Sequence, residues 1–389
     1  MGKKKLLVTA STFPRWEGDT EPRFVLDLCK YLTEWFDVTV LVPSAPEANE
    51  KEVLEGVRVI RYHYFPIHKW ETLCYPGAIV PRIKEKRIRI LLVPFLFFAL
   101  YFQLLRRLKN YDMVHAHWLI PQGIVQSFFR KPYIVTGHGG DVTSLNAGMI
   151  KKLKMRCLKR ARHVTVVSED LRARIEKLVP GLKTSVISMG VDMSGFGRQY
   201  AVDNYFGQDG KKVVLFVGRL AEKKGVAYLI EAMKKIDAVL VIAGDGPLKD
   251  SLMKQAESQG DKIRFVGAQT HDRLREMYAS ADVFAAPFIT ADDGDKEGLS
   301  VVVLEALASG LPIVACGVGG VGELLRDRET ALLCEEKNVE ELADAICEVL
   351  HDSDLGSRLI ANGAELIKRY DYKAIAARYA GVMGENTFG

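Results

Sequence analysis

Residues 213–225 read Val-Val-Leu-Phe-Val-Gly-Arg-Leu-Ala-Glu-Lys-Lys-Gly. The five apolar residues at the front have the length of a strand. They show no polar alternation, as in a strand covered on both faces of a parallel sheet. Gly218 permits close backbone approach, and Arg219 and Lys224 follow at the strand's carboxyl end. Ligands of open α/β sheets bind at that end. There a guanidinium fork and an ammonium point charge suit paired phosphates. The alternative for this stretch taken alone is a solvated charged loop.

Working outward, the same grammar repeats. In the first half, short apolar runs stand at 5–10, 38–42, 57–62, 113–116, 133–136, 164–167 and 185–188. After a polar stretch at 195–211, a second series begins with 213–217. It continues at 239–243, 263–266, 283–286, 312–315 and 331–333. Helical periodicity fills the gaps, as at Leu229, Met233 and Ile236. Strands alternating with helices predict parallel sheets of right-handed βαβ units. The fold class is therefore α/β, with two doubly wound Rossmann-like domains, 1–192 and 193–367, and an interdomain cleft as the natural site.

Composition narrows the class. With 48% hydrophobic and 26% charged residues, the chain is neither disordered nor fibrous. Six scattered cysteines without a C-x-x-C pair suit a reducing compartment and argue against structural zinc. The opening MGKKKLLVTASTF has too short an apolar run for a signal peptide, so the cytoplasm is the expected address. The net charge of +5 hides an asymmetry. Residues 1–190 carry 31 Lys and Arg against 17 Asp and Glu, and the remainder is acidic. The first half is therefore expected to meet something anionic.

After the run at 283–286 come Pro287, an acidic loop and Glu297-Gly298-Leu299-Ser300-Val301, opening a helix near Leu299 or Ser300. Its first amides would face phosphate or sugar oxygens. Glu297 precedes the helix and Glu305 lies inside it. These carboxylates either receive hydroxyls of a polyol ligand, or cap the helix and pair with a cation, since a buried carboxylate needs a partner. In the first half, Thr136-Gly137-His138-Gly139-Gly140-Asp141 follows a strand, with His138 either functional or structural. His115 and His117 share one strand face, a spacing compatible with metal, packing or acceptor contact by His117.

Taken together, Gly218-Arg219 with Lys224, the Glu297/Glu305 pair and Gly319-Gly320-Val321-Gly322-Glu323 resemble the family 4 retaining glycosyltransferases, also called glycosyl transferases group 1. Gly244-Asp245-Gly246-Pro247 and Tyr278-Ala279-Ser280-Ala281-Asp282-Val283 extend the resemblance over nearly the whole chain. It implies the GT-B fold, with a terminal helix, 368–389, crossing back onto the first domain and a hinge near 370–373. It implies a nucleotide-sugar donor: Arg219 and Lys224 on the diphosphate, Glu297 on the sugar, Glu305 on the ribose. Gly218, Gly298, Leu299, Ser300 and Val301 would line sugar and phosphate, and Val266-Gly267 would hold the base. His138, in the family's H-G-x-D segment, would contact the donor sugar, and Asp141 would support its loop or the acceptor. Where relatives carry Gly-Gly after the first strand, this chain has Gly18-Asp19, leaving Gly18 as the candidate phosphate contact. The family lacks a D-x-D metal site; Asp293-Gly294-Asp295 is read as an acidic surface loop, with no metal and no further cofactor required.

Residues 82–109 join an apolar core at 90–105 to basic flanks, and 151–162 carry seven basic residues. The core is too short to span a bilayer. It either lies in the surface of an anionic membrane or forms a buried helix over the sheet. In 151–162, Ile150, Leu153, Cys157, Leu158 and Ala161 would form the apolar stripe of a basic amphipathic helix. No nucleic-acid module is recognisable. The expected activity is transfer of a sugar to a lipid-linked or polysaccharide-precursor acceptor at the inner face of the cell membrane. The GDKEG segment at 294–298 resembles a subgroup associated with exopolysaccharide assembly. A nucleotide-sugar epimerase and a non-catalytic membrane-surface protein are the alternatives.

Overall fold

The computed structural model describes residues 2–207 and 210–384. Met1 and residues 385–389, the ends of two of the expected segments, lie outside the described residues. The chain forms two compact units, one running to Ser188 and resuming at Tyr372, the other spanning Met189–Asp371. The expected divisions at 192/193 and 367/368 thus sit about four residues from those observed.

Among the described residues the first unit holds eight strands: β1 (Lys4–Thr9), β2 (Phe36–Pro43), β3 (Lys51–Leu54), β4 (Val57–Tyr62), β5 (Met113–His117), β6 (Tyr133–Gly137), β7 (His163–Val166) and β8 (Thr184–Val186). Their order is β3-β4-β2-β1-β5-β6-β7-β8. Every pair is parallel except the β3–β4 hairpin. That hairpin escapes the expected all-parallel pattern because Lys51-Glu52-Val53-Leu54 is a short, largely exposed edge strand. Glu55 and Gly56, both at positive φ, close its turn. The helix Phe24–Leu32 packs beside the terminal helix Tyr372–Gly384, and Tyr372, Ile375 and Tyr379 join the core with Leu6, Val8 and Ile134. The terminal helix expected from residue 368 begins four residues later, behind a short 3-10 turn. One helix ends at Ile367, a 3-10 turn covers Lys368–Tyr370, and the last helix starts at Tyr372.

The helix Val93–Arg107 buries only a stripe, Leu96, Leu100 and Leu104. It is neither a fully buried core helix nor detached from the unit. In the helix Gly148–Arg160, Lys154 departs from the expected basic amphipathic pattern, joining Cys157 and Leu158 on the buried side. It is fully buried, while Ile150 and Leu153 of the expected stripe are only half-buried. Its ammonium donates to the carbonyls of Val142 and Ser144 and to Asn146 Oδ1, at 3.0, 2.9 and 2.6 Å. Burial lowers its pKa to about 8.

The second unit holds β9 (Val213–Val217), β10 (Val239–Ala243), β11 (Ile263–Gly267), β12 (Val283–Ala286), β13 (Ile313–Cys316) and β14 (Leu332–Cys334). All are parallel, in the order β11-β10-β9-β12-β13-β14. The chain runs outward from β9 in one direction and from β12 in the other, so the β9/β12 boundary is the topological switch point. The loops that leave these strands flank it, which is where such sheets take ligands. In the first unit the equivalent boundary lies between β1 and β5.

Candidate functional site

The loops after β9 and β12 are bolted together through backbone. Ile289 donates to the carbonyl of Lys223 at 2.9 Å, and Asp292 N–H to Glu222 Oε1 at 2.9 Å. Gly225, at φ 64°, approaches so closely that a Cβ there would lie 1.7 Å from the Pro287 oxygen. The glycines of the other motifs do the same work. A Cβ on Gly244 would stand 1.9 Å from the Gly218 oxygen, and one on Gly246 2.4 Å from the Leu220 oxygen. On Gly319 it would meet the Glu297 oxygen at 2.1 Å, and on Gly320 the Leu299 nitrogen at 2.6 Å. The glycine-rich segments at 244–246 and 319–320 are therefore backing plates. They press the Arg219 loop and the Glu297 loop into shape from behind.

On this frame Lys224 is buried, with its ammonium 3.0 Å from Glu297 Oε1 and 4.2 Å above the Phe288 ring. Lys223 stands 3.1 Å from Asp295 Oδ2 and 3.7 Å from Glu297 Oε2. Burial opposes ionisation of Glu297, but Lys224 and then Lys223 outweigh it and hold its pKa below the ordinary value. The carboxylate is thus an anion gripped by two cations. Lys224, expected on a diphosphate, has Glu297 as its partner here, and Lys223 and Asp295 join a cluster the sequence reading had left out. Their signal was adjacency alone: Lys223 neighbours Lys224, and Asp295 lies two residues before Glu297. Arg219 is exposed and makes no ion pair among the described residues.

The helix after this loop runs Val301–Ala308, with Ser300 at its N-cap, one or two residues later than expected. Glu305 is buried and accepts from the Tyr278 hydroxyl at 3.0 Å, so a phenol supports it where a cation was the expected alternative. Leu299 is half-buried over the core and Gly298 lies under Gly320. On β11, the edge strand, the Gly267 carbonyl accepts from Gly244 at 2.8 Å and that of Val266 from the Gln269 amide at 2.6 Å. Val266 itself remains exposed.

In the first unit, Asp141 organises the loop after β6. Its Oδ1 accepts from His138 N–H and Gly139 N–H at 3.1 and 2.9 Å, and its Oδ2 from Leu119 N–H at 2.8 Å. Burial nonetheless raises its pKa against those amides and Lys154. The His138 ring is 3.0 Å from His117, Nε2 to Nδ1, and packs against Trp118 and Phe24. His115 pairs through Nε2 with Thr136 Oγ1 at 2.8 Å. His115, His117 and His138 form a stack of neighbouring rings. No group of three or more His, Cys, Asp or Glu side chains placed to hold a metal ion occurs among the described residues. Gly18, at φ 80°, sits in a loop closed by Asp19, whose carboxylate takes the Arg15 guanidinium and the N–H groups of Arg15 and Thr20.

Burial lowers the pKa of His115 and of His138 to about 3. The unfolded chain protonates both near pH 6.5, while the folded chain does not until about pH 3. Stability of the first unit should therefore fall as pH drops through that window, by roughly 1.4 kcal/mol per unit per histidine. All four tryptophans (Trp16, Trp35, Trp70, Trp118) lie in this unit, so their fluorescence in urea titrations at pH 7, 5 and 4 reads it directly. His115→Gln should flatten the pH dependence; an unchanged slope would dismiss the histidine account.

Comparison with known proteins gives the frame a lineage. Residues 22–194 match the model described as Glycosyltransferase Family 4, and residues 203–366 that of Glycosyl transferases group 1. An uncharacterised glycosyltransferase of Methanocaldococcus jannaschii is 29% identical over 69% of this chain and 73% of its own length. A GDP-mannose-dependent alpha-(1-6)-phosphatidylinositol monomannoside mannosyltransferase of Mycobacterium tuberculosis is 33% identical over 56% of this chain. The match spans 60% of that enzyme, less than two thirds of its length. Among solved structures, a sucrose-phosphate synthase from Thermosynechococcus elongatus superposes with a TM-score of 0.78. It is 22% identical and covers 98% of this chain and 99% of its own. With the two sheets, their switch-point loops and these matches in hand, the chain belongs to the family 4 glycosyltransferases and has the GT-B fold.

Proposed function

We propose that the protein transfers a sugar from a nucleoside-diphosphate sugar, UDP- or GDP-linked, to an acceptor hydroxyl with retention at the anomeric carbon. The observation that carries this reading is the Lys223–Lys224–Glu297 cluster at the β9/β12 switch point, with the free guanidinium of Arg219 on the same loop. A diphosphate entering there brings the negative charge that Glu297 now supplies to Lys224. Glu297 is released to receive hydroxyls of the donor sugar, and Glu305 those of the ribose.

In the reaction the bond from the anomeric carbon to the diphosphate oxygen breaks, and its electron pair leaves on the diphosphate. Arg219 and Lys224 stabilise that charge. The acceptor oxygen bonds to the same face of the carbon, and its proton passes to the departing phosphate oxygen. Fixed cations and helix amides supply the electrostatic stabilisation, so this route needs neither a metal nor an enzyme nucleophile.

The acceptor is proposed to be lipid-linked or a polysaccharide precursor, reached at the inner face of the cell membrane. The excess of cations in residues 1–190 supports an anionic acceptor, and the free cysteines suit a reducing compartment.

Thermal unfolding with UDP, GDP and ADP at millimolar concentration tests the donor site. A nucleotide at about 100 times its dissociation constant adds about 2.7 kcal/mol. UDP or GDP should raise the midpoint, and Arg219→Ala should abolish the rise. No shift with any nucleotide would remove the donor assignment. Consumption of a nucleotide sugar to its epimer without acceptor would favour an epimerase instead.

A further inference from the structure

Residues 87–110 form one continuous helical rod, 3-10 over Arg87–Leu92, α over Val93–Arg107 and 3-10 over Leu108–Asn110. By length and composition it could cross a membrane, which corrects the expectation drawn from the 90–105 core alone: the 3-10 turns at both ends lengthen the rod to 24 residues. Its packing assigns it otherwise. Leu96, Leu100, Leu104 and Leu108, spaced by four, are buried in the first unit. Ahead of the α-helix, buried Arg89 donates to Thr72 Oγ1, the Arg82 carbonyl and Glu85 Oε2. The rod is fastened along its length and is not available to leave the unit.

The opposite face carries a second apolar stripe. Ile88, Leu91, Phe95, Phe98, Phe102 and Leu105 recur at steps of three and four, which places them on one side of the helix. Each is between 44% and 72% exposed. Soluble monomers rarely leave so long a contiguous apolar face uncovered, and such a face marks a docking surface. The surface widens at its edges. Phe65 bridges Phe95 to the exposed Trp70, with ring centroids 4.8 and 5.9 Å apart, and Tyr101 meets Phe129 at 4.9 Å. Exposed Phe128 lies beneath the Arg156 guanidinium.

Both ends are cationic: Lys84, Lys86 and Arg87 precede the stripe, and Arg106 and Lys109 follow it, all exposed. Glu85, the acidic residue within 82–110, is paired with Arg82 and Arg89. A two-fold pairing with a second copy through antiparallel stripes would press these cationic ends against each other. An anionic bilayer satisfies both features at once, with phenyl rings among the acyl chains and lysines and arginines at the headgroups.

We propose that the Ile88–Leu105 stripe lies flat in the interface of an anionic membrane, without spanning it, and docks the first unit there. This inference stands apart from the donor-site reading, because vesicle binding and nucleotide stabilisation are measured separately and either can fail alone.

The test is flotation of the full chain with vesicles of phosphatidylcholine, and of phosphatidylcholine with about one-third phosphatidylglycerol. Binding should be at least about tenfold tighter to the anionic vesicles and weaken with salt. It should be released by high-pH carbonate washing, and Trp70 emission should shift to the blue. Phe98→Ser with Phe102→Ser, both on the exposed face, should weaken vesicle binding about tenfold or more and leave the nucleotide-induced thermal shift intact. Equal binding by this variant, or no binding of the wild type to anionic vesicles, overturns the proposal. Retention through carbonate washing would replace it with a spanning helix. A wild-type dimer that the variant dissolves, without vesicle binding, would replace it with a second copy.

Discussion

Lys224→Ala is expected to damage the protein in two separable ways. The first is stability. The substitution leaves the Glu297 carboxylate, whose ionised form Lys224 secures from 3.0 Å, with Lys223 alone at 3.7 Å. Breaking one side of a buried ion pair costs about 3 kcal/mol, and the surviving contact to Lys223 limits the loss to that range. The second is turnover, which should fall by roughly 10²–10³ as charge stabilisation of the leaving diphosphate is lost. The double variant Lys224→Ala with Glu297→Gln separates them. Replacing the stranded carboxylate by a neutral amide should restore most of the stability, and should restore none of the turnover. A double variant no more stable than Lys224→Ala would show that the pair does not matter as the geometry says.

Gly225→Ala should be the most destructive small substitution in the second unit. The residue is at φ 64°, and its new methyl would stand 1.7 Å from the Pro287 oxygen. That neighbour is backbone of the partner loop, so relief requires the β9 and β12 loops to part. A left-handed conformation alone costs an alanine about 1–2 kcal/mol. With the clash added, a loss of about 4 kcal/mol or more is expected. Gly267→Ala provides the control, since φ is 72° there but nothing lies within 4 Å of the added carbon. It should show the conformational cost alone. In calorimetry the Gly225→Ala midpoint should drop by about 10 °C or more, using about 2–4 °C per kcal/mol for a unit of this size. Tryptophan fluorescence, confined to the first unit, follows that unit's transition separately. Equal effects of the two alanines would mean that the close approach carries no energy.

Much of this was legible in the sequence because local chemistry wrote it there. Apolar runs of strand length with helical spacing between them mark β9, β10 and β12 without any knowledge of their neighbours. Lys224 and Glu297 stand out because they lie in the loops that follow buried strands, where an α/β sheet takes its ligands. The β3 edge strand carried no such mark, being short and polar, and it forms because β4 lies beside it.

Other features had no local signature. Lys154 is spelled like its basic neighbours, yet three acceptors from residues 142–146 bury it. The pairing of His117 with His138 joins the last residue of β5 to the loop that leaves β6. An apolar run such as 90–105 is hydrophobic on every side, so its periodicity cannot say which face is covered.

The sequence by itself determined the two α/β halves, the family, and the loops in which the chemistry would be found. Those follow from periodicity and from residue types needed at fixed points of one chain segment. The tertiary structure alone decided which charges meet, which glycines carry close contacts, and which side of the Val93–Arg107 helix is left bare. The physical reason is that ion pairing, steric approach and burial are properties of atoms brought together across the sheet order, and the chain order does not record those distances.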